Sequence, residues 1–237
     1  MSPSSTRVRA LLIRHAQASF GAADYDRLSA RGERQAELLG AWVAAHPEWK
    51  LQRLVRGSMH RHAQTLEAIL RACASAGRPM PDVVEDAGWN EFDHVNLFRG
   101  YAKRFSGDER LELLTSDPSS PAVPQLIADM FAAWARGDVD DLMPERWTEF
   151  TQRVHRAFNA LAQHPGHCLV VSSGGVISRC AQAALHLSDE RTISLNMSLA
   201  NSAISDFRHR GDGWDLLTWN GLPHLAAAEH LPLTSHF

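Results

Sequence analysis

Residues 11–17, LLIRHAQ, place an apolar run directly before Arg14 and His15. Short apolar runs of this kind are typical of buried strands. A cation and an imidazole are costly to bury without partners, so both side chains are expected where the strand ends. The stretch therefore predicts a central strand over 8–13 that delivers Arg14 and His15 to one edge of a sheet.

Strands and helices alternate outward from this stretch. Apolar runs and helical spacing predict strands over 52–56, 81–85 and 167–172, and helices over 30–45, 61–75 and 175–186. The segments AISDFRHR and WDLLTW flank a glycine turn at 211–213 and predict a β-hairpin. Strands that alternate with helices form mainly parallel sheets. The predicted fold class is therefore three-layer α/β/α, with a mostly parallel sheet and an antiparallel edge strand.

Residues 96–145 interrupt the alternation. They contain helical pieces and the proline-rich stretch SDPSSPAVP, but no strong strand. We expect a helical insertion packed over the functional edge of the sheet, within a single domain over 1–237. A convincing helix follows it, with apolar residues at helical spacing from Trp147 to Leu161. The terminal segments PSSTR and LPLTSHF are expected to fray.

Composition argues against several classes of protein. The formal net charge is −3, so neither a general nucleic-acid binder nor a membrane-surface binder is indicated. The three cysteines (Cys73, Cys168 and Cys180) are far apart and predict free thiols of a reducing compartment. No segment approaches the roughly 18 continuous apolar residues of a membrane span. A cytoplasmic protein is expected, and its oligomeric state stays open.

A second apolar strand ends in a glycine turn. LVVSSGG (169–175) brings Ser173, Gly174 and Gly175 to the edge where Arg14 is expected, just before a helix. Ligands of open parallel sheets bind beyond the carboxyl ends of the strands. A helix N-terminus and a planar guanidinium both favour an anion, so the pattern predicts a phosphate site. Neither GxGxxG nor GxxxxGK[ST] occurs, so a nucleotide site of those types has no support.

Two further junctions after predicted strands carry charged residues. Arg61 lies in SMHRHAQT (58–65), and Glu91 lies in AGWNEFDH (87–94). Any one of these features alone is more often a surface ion pair or a tight turn. Four of them at one predicted edge favour a single functional site.

Taken in order, LLIRHAQ, LSARGERQAELLG, RHAQT and WNEFD resemble the histidine phosphatase superfamily, which has the phosphoglycerate-mutase-like fold. The resemblance implies that His15 is a nucleophile that becomes phosphorylated. It implies that Arg14 and Arg61 hold the phosphoryl oxygens. Glu91 would give a proton to the leaving group and then activate water, a role that needs a raised pKa. No cofactor or metal ion is expected, because the two arginines meet the charge of the phosphoryl group.

If LVVSSGG ends its strand at the same edge as LLIRHAQ, Ser173 faces His15 across the phosphate, with the N–H groups of Gly174 and Gly175 alongside and open to the anion. The resemblance also makes Gln17 and Ser19 candidates for the rim of the phosphate site. It fails at position 173, where the family has a second histidine and this chain has Ser173. A hydroxyl can donate one hydrogen bond but carries no charge. Loss of one transition-state donor costs about 10²–10³ in rate. Because Ser173 supplies part of that interaction, a weakened enzyme is expected.

The other histidines have no clear role in the sequence. His94 or His60 could supply a substitute imidazole. Surface positions are expected for four histidines: His60, His62, His164 and His167. Neither HRH nor HPGH lies in a wider ligand pattern, so no metal site is predicted.

Three functions stay open. A phosphomonoesterase acting on a small phosphorylated substrate is favoured. A phosphoglycerate mutase is second, because ASFGAADYDRLS (18–29) lacks the segments by which mutases resemble one another. A catalytically silent protein that binds a phosphorylated ligand is third, and Ser173 keeps it open. The sequence does not identify the substrate, which residues 96–145 would select.

Overall fold

The computed structural model describes residues 8–19, 26–118 and 120–236. The strands of the described chain are β1 (Val8–Arg14), β2 (Leu51–Arg56), β3 (Val83–Glu85), β4 (Gly166–Ser172), β5 (Ile204–His209) and β6 (Trp214–Gly221). They form one sheet in the order β3-β2-β4-β1-β5-β6. The first four strands along the chain are mutually parallel, and β5 runs antiparallel to both β1 and β6. The predicted mostly parallel sheet with an antiparallel hairpin at its edge is confirmed.

Helices connect the strands at nearly the predicted positions. The α-helices of the described residues are α1 (Ala30–Ala45), α2 (His60–Ser75), α3 (His94–Arg104), α4 (Leu113–Ser116), α5 (Ala122–Ala135), α6 (Trp147–Leu161), α7 (Gly174–Leu185) and α8 (Asp189–Ser198). Sequence reasoning missed α8, although Ser188 caps it and acidic residues fill its first turn.

The alternation of side chains along β1 creates the three layers. Leu11 and Ile13 pack with α1 and α2, whereas Val8 and Leu12 face the apolar cluster that contains α5, α6 and α7. A strand with both faces buried reads as a continuous apolar run, which is why this stretch is so apolar. Truncating a fully buried core residue such as Leu39 to alanine would cost about 2–5 kcal/mol.

The predicted insertion is helical and packs beside the loop that carries Glu91. Phe131 and Trp134 of α5 contact Phe92, with ring centroids 5.2 and 5.0 Å apart. Phe92 also contacts Phe150 of α6 at 5.7 Å. The insertion therefore shares one apolar cluster with α6 and with the sheet. The single-domain organisation stays a prediction.

Both terminal segments were expected to fray. PSSTR (3–7) lies outside the described residues. Most of LPLTSHF is described and does not fray, because the Ser235 carbonyl accepts a hydrogen bond from the Asn201 amide at 2.8 Å and Ser235 is buried. The cysteines are free and buried, as expected. No helix in the described ranges has the length and apolarity needed to cross a membrane.

Candidate functional site

The site forms where β1 and β4 end side by side. Arg14 is the register partner of Ser172, and the His15 amide donates to the Ser172 carbonyl at 2.8 Å. The next residues along the two strands, His15 and Ser173, therefore leave the sheet at the same edge. The sequence predicted this juxtaposition.

His15 is a buried imidazole with one ring nitrogen engaged by the backbone. His15 is only 7% exposed, and its Nδ1 lies 2.7 Å from the Ala16 carbonyl oxygen. A carbonyl accepts but cannot donate, so Nδ1 carries the proton and Nε2 keeps its lone pair. Burial, together with the positive charges of Arg61 and Arg14, lowers the pKa of His15 well below its ordinary value. The ring is therefore neutral near pH 7.

Two guanidinium groups flank this ring. Arg61 is buried, and its Nε donates to His15 Nε2 at 3.2 Å. Its Nη1 lies 2.6 Å from Asp26 Oδ1, which balances its charge. Arg14 donates to the Leu199 carbonyl at the end of α8. Two convergent guanidinium groups beside a neutral imidazole make the edge suited to a phosphate-like anion.

Glu91 joins the site through the start of α7. Its Oε2 accepts a hydrogen bond from the Gly175 amide at 3.0 Å, and Oε1 accepts one from the Phe92 amide at 3.3 Å. Burial raises the pKa of Glu91, although these two amides, Arg61 and Arg14 oppose the shift. The expectation that the Gly175 N–H is open to an anion is therefore wrong, because Glu91 uses it.

Neighbouring residues hold the Glu91 loop in place. Ser172 Oγ donates to the Trp89 carbonyl at 2.7 Å, and the Ser58 amide donates to Asn90 Oδ1 at 2.7 Å. Arg153 of α6 donates to the Asn90 carbonyl at 2.9 Å. These bonds tie the loop to the ends of β4 and β2 and to α6, so the Glu91 carboxyl group has a fixed position.

Ser173 contacts a histidine that sequence reasoning placed elsewhere. The residue is fully buried, and its Oγ lies 2.7 Å from His62 Nε2. His62 is also fully buried, and its ring centroid lies 5.6 Å from that of His15. The expectation of a surface position for His62 is wrong.

A signal for the burial of His62 was present in the sequence. His62, Leu66, Ile69 and Cys73 lie on one face of α2, at helical spacing, and all four are buried. A polar residue in line with three apolar ones on the same helix predicts a buried polar side chain. The surface prediction overlooked this periodicity.

Other candidate residues lie beside the site and make different contacts. Gln17 Oε1 accepts from Ser29 Oγ at 2.9 Å, and Ser19 Oγ donates to the Leu28 carbonyl at 3.1 Å. Both side chains thus bind the segment that leads into α1. His94 begins α3, and burial, followed by the charge of Arg61, lowers its pKa.

The remaining candidates are Gly174 in the glycine turn and three other histidines. A Cβ on Gly174 would lie 3.6 Å from Arg14 Nε, so this glycine lies directly beside the guanidinium. His60 and His164 are exposed and His167 is partly exposed. Within 8–19, 26–118 and 120–236, no group of three His, Cys, Asp or Glu side chains could hold a metal ion.

A polar network missed by the sequence analysis lies behind His15. The Ser202 amide donates to the His15 carbonyl at 3.2 Å, and Ser202 Oγ lies 2.8 Å from His224 Nε2. Ser235 Oγ donates to Asn201 Oδ1 at 2.9 Å. The segment after α8 and the end of the chain thus support the backbone that carries His15.

Part of the chain matches the model of a known protein family. The family model for the histidine phosphatase superfamily (branch 1) matches residues 109–221. This range contains Ser173 and Gly174 and begins after Glu91. No curated protein matches the chain in sequence.

Solved structures share the fold at low sequence identity. Phosphoglycerate mutase from Bacillus anthracis superposes with a TM-score of 0.63 at 16% identity, covering 93% of this chain and 96% of its own. A mycobacterial glucosyl-3-phosphoglycerate phosphatase gives 0.60 at 18% identity, covering 90% and 98%. Phosphoserine phosphatase from Entamoeba histolytica, in complex with 3-phosphoglyceric acid, gives 0.56 at 18% identity, covering 92% and 99%.

Proposed function

Because the family model for the histidine phosphatase superfamily (branch 1) matches residues 109–221 and the chain shares its fold with solved phosphatases, we propose that it is a phosphomonoesterase that forms a phosphohistidine at His15. Its substrate is a small phosphorylated molecule. The observation that carries this proposal is the state of the His15 ring. The ring is neutral, its Nδ1 proton is held by the Ala16 carbonyl, and its Nε2 lone pair accepts a hydrogen bond from Arg61, while the charge of Arg14 also acts on the ring.

The first step is attack of His15 Nε2 on phosphorus. The N–P bond forms as the bond to the substrate oxygen breaks, and the ring keeps its Nδ1 proton on the Ala16 carbonyl. Arg61 turns its Nε from His15 to a phosphoryl oxygen, and Arg14 binds another. Charge spread over these oxygens in the transition state is stabilised by both guanidinium groups.

Glu91 serves as the general acid and then as the general base. Burial raises its pKa, which favours the protonated form that the leaving alkoxide needs. In the second step the resulting carboxylate takes a proton from water, and the hydroxide attacks the phosphorus of phospho-His15. The P–N bond breaks, inorganic phosphate leaves, and His15 returns to its neutral form.

The substrate class is supported by the size and charge of the site and by the fold neighbours. Arg14 and Arg61 suit one phosphoryl group. The neighbours include a phosphatase in complex with 3-phosphoglyceric acid and a glucosyl-3-phosphoglycerate phosphatase. We propose that α3 and α5 of the insertion select among such molecules, since α3 begins at His94 beside the site.

Turnover of p-nitrophenyl phosphate with and without chelator tests the reaction. Hydrolysis that persists in chelator, with acid-labile and base-stable labelling from a ³²P-labelled substrate, is expected for the wild type and not for His15→Ala. Labelling that survives this substitution would refute the assignment of the nucleophile. Interconversion of phosphoglycerates would identify a mutase. Phosphate binding without any turnover would identify a silent binding protein.

A further inference from the structure

The proposed reaction assigns no role to one pair of buried polar side chains, His62 and Ser173. His62 and Ser173 come from α2 and from the end of β4, and their side chains meet at 2.7 Å. Both residues are fully buried. Burying two polar side chains is costly unless they bond to each other or to a ligand, so the pair needs a physical reason.

The pair lies among the residues proposed to act on phosphate. Ser173 is the N-cap of α7 and is followed by Gly174, which lies beside Arg14, and Gly175, which binds Glu91. The His62 ring is 5.6 Å from the His15 ring, measured between centroids. The Ser173 hydroxyl thus lies among the groups that the proposed function assigns to the phosphoryl oxygens.

A hydroxyl has one hydrogen, so the direction of its bond with His62 decides its use. If Ser173 donates to Nε2, that hydrogen is consumed by the ring. If Nε2–H donates to Ser173 Oγ, the hydroxyl hydrogen is left for the substrate. The Gly57 backbone lies beside His62 Nδ1, and its hydrogen bond raises the pKa of the ring against the larger effect of burial, so the ligand-free structure does not select one direction. A phosphoryl oxygen can only accept, so a bound phosphoryl group favours the second direction, in which the hydroxyl hydrogen points toward it.

We propose that His62 is a positioning residue, whose Nε2–H donates to Ser173 Oγ and directs the serine hydroxyl toward the phosphoryl oxygens of the substrate. The two residues together supply the hydrogen bond for which the resemblance leads one to expect a histidine at position 173. The proposal rests on the proposed function for the identity of the ligand. It predicts an energetic coupling between His62 and Ser173, whether or not the bound phosphate is turned over.

A double-mutant cycle with inorganic phosphate as the probe tests the coupling. Calorimetric affinities are measured for the wild type, His62→Leu, Ser173→Ala and the double variant. Each single variant should bind phosphate about tenfold more weakly, because a hydrogen bond to a charged group is lost. The double variant should bind no more weakly than Ser173→Ala alone, since His62 acts through that hydroxyl.

The conservative variant His62→Gln separates positioning from packing. Its amide nitrogen can occupy the place of Nε2 and donate to Ser173 Oγ, so phosphate affinity should stay within about threefold of the wild type. His155→Leu, which removes a partly buried histidine on α6, is the matched control and should bind phosphate normally. Thermal unfolding of every variant identifies any that is not folded.

The outcomes separate this inference from the proposed function. Additive losses in the double variant, or equal losses in His62→Gln and His62→Leu, would overturn the positioning role. If the wild type binds phosphate but has no phosphatase activity, the proposed function fails and the cycle still decides the role of His62. If the wild type does not bind phosphate, both proposals are wrong.

Discussion

The end of β1 and the start of α2 each place a buried histidine in the same site, and the two rings are set up differently. Their centroids are 5.6 Å apart, and burial and the charge of Arg61 lower the pKa of both rings. His15 binds a backbone carbonyl through Nδ1, whereas His62 binds a hydroxyl through Nε2. In the proposals above, His15 attacks and His62 positions a hydroxyl, and the difference lies in which partner engages each ring.

The same substitution at both positions should have very different effects. Glutamine keeps an amide nitrogen near the place of Nε2 but is not a nucleophile. His15→Gln should lower kcat/KM by about 10⁴-fold or more, as loss of a covalent nucleophile does in other enzymes. His62→Gln should lower it by no more than about threefold. Steady-state rates with p-nitrophenyl phosphate measure both values, and equal losses at the two positions would remove the proposed distinction.

Substitution of Glu91 should have the next largest effect on kcat. The size of this effect should depend on the leaving group of the substrate. Glu91→Gln should lower kcat for an alkyl phosphate by about 10²–10⁴-fold, because an alkoxide needs a proton. The loss should be much smaller for p-nitrophenyl phosphate, whose leaving group is stable as an anion. Equal losses for both substrates would show that Glu91 is not the acid.

The pH dependence tests the same assignment. Since the pKa of Glu91 is raised, activity on the alkyl phosphate should fall as the pH rises through that value and the acid form is lost. The glutamine variant should lack this alkaline limb. His15 must be neutral to attack, and its lowered pKa places the acid limb below the ordinary histidine value of about 6.5.

The sequence predicted the main features of this arrangement because they are local. The apolar run before Arg14 predicts a strand, and parallel strands end at a common edge, so the order of motifs is enough to bring His15, Arg61 and Glu91 together. Their roles stay predictions that the experiments above test. The helical period predicted α1, α2 and α6 for the same reason.

The features that sequence reasoning missed depend on contacts between distant segments. The Gly175 amide is taken by Glu91, 84 positions earlier, and Ser173 meets His62 across 111 positions. No local pattern specifies such pairings. The burial of His62 was predictable from the period of α2, but its partner was not. The order of the chain end depends on Ser235 and Asn201, which are also far apart in sequence.

Gly57 lies behind the His62 ring. Its substitution should perturb the site more weakly than substitution of Glu91. A Cβ on Gly57 would lie 2.4 Å from His62 Nδ1 and 2.6 Å from Asn90 Oδ1, so alanine there must displace the ring. Gly57→Ala should weaken phosphate binding several-fold and cost about 1–3 kcal/mol of stability through overpacking. Gly107→Ala is the matched control, because its Cβ would meet nothing within 4 Å. Normal phosphate affinity in Gly57→Ala would argue that the ring position is unimportant.

The smallest effect on activity is expected for substitution of His224. This third buried histidine contacts Ser202 and lies away from the proposed phosphate position. Burial lowers the pKa of His224 to about 4. Because the unfolded chain has the ordinary value near 6.5, it takes up a proton first as the pH falls. The free energy of unfolding should therefore decrease between about pH 6.5 and pH 4, by about 3 kcal/mol from this group.

His224→Leu removes this titration by replacing the imidazole with an apolar side chain of similar size. Urea unfolding at a series of pH values should show the wild type losing stability relative to the variant as the pH falls from 7 to 4. His15 and His62 titrate in both proteins, so their contributions cancel in the difference. Activity at pH 7 should fall by no more than about threefold. A pH-independent difference in stability would mean that His224 is protonated in the folded protein as readily as in the unfolded chain. A large loss of activity would instead place His224 with His15 and His62, as a histidine on which the reaction depends.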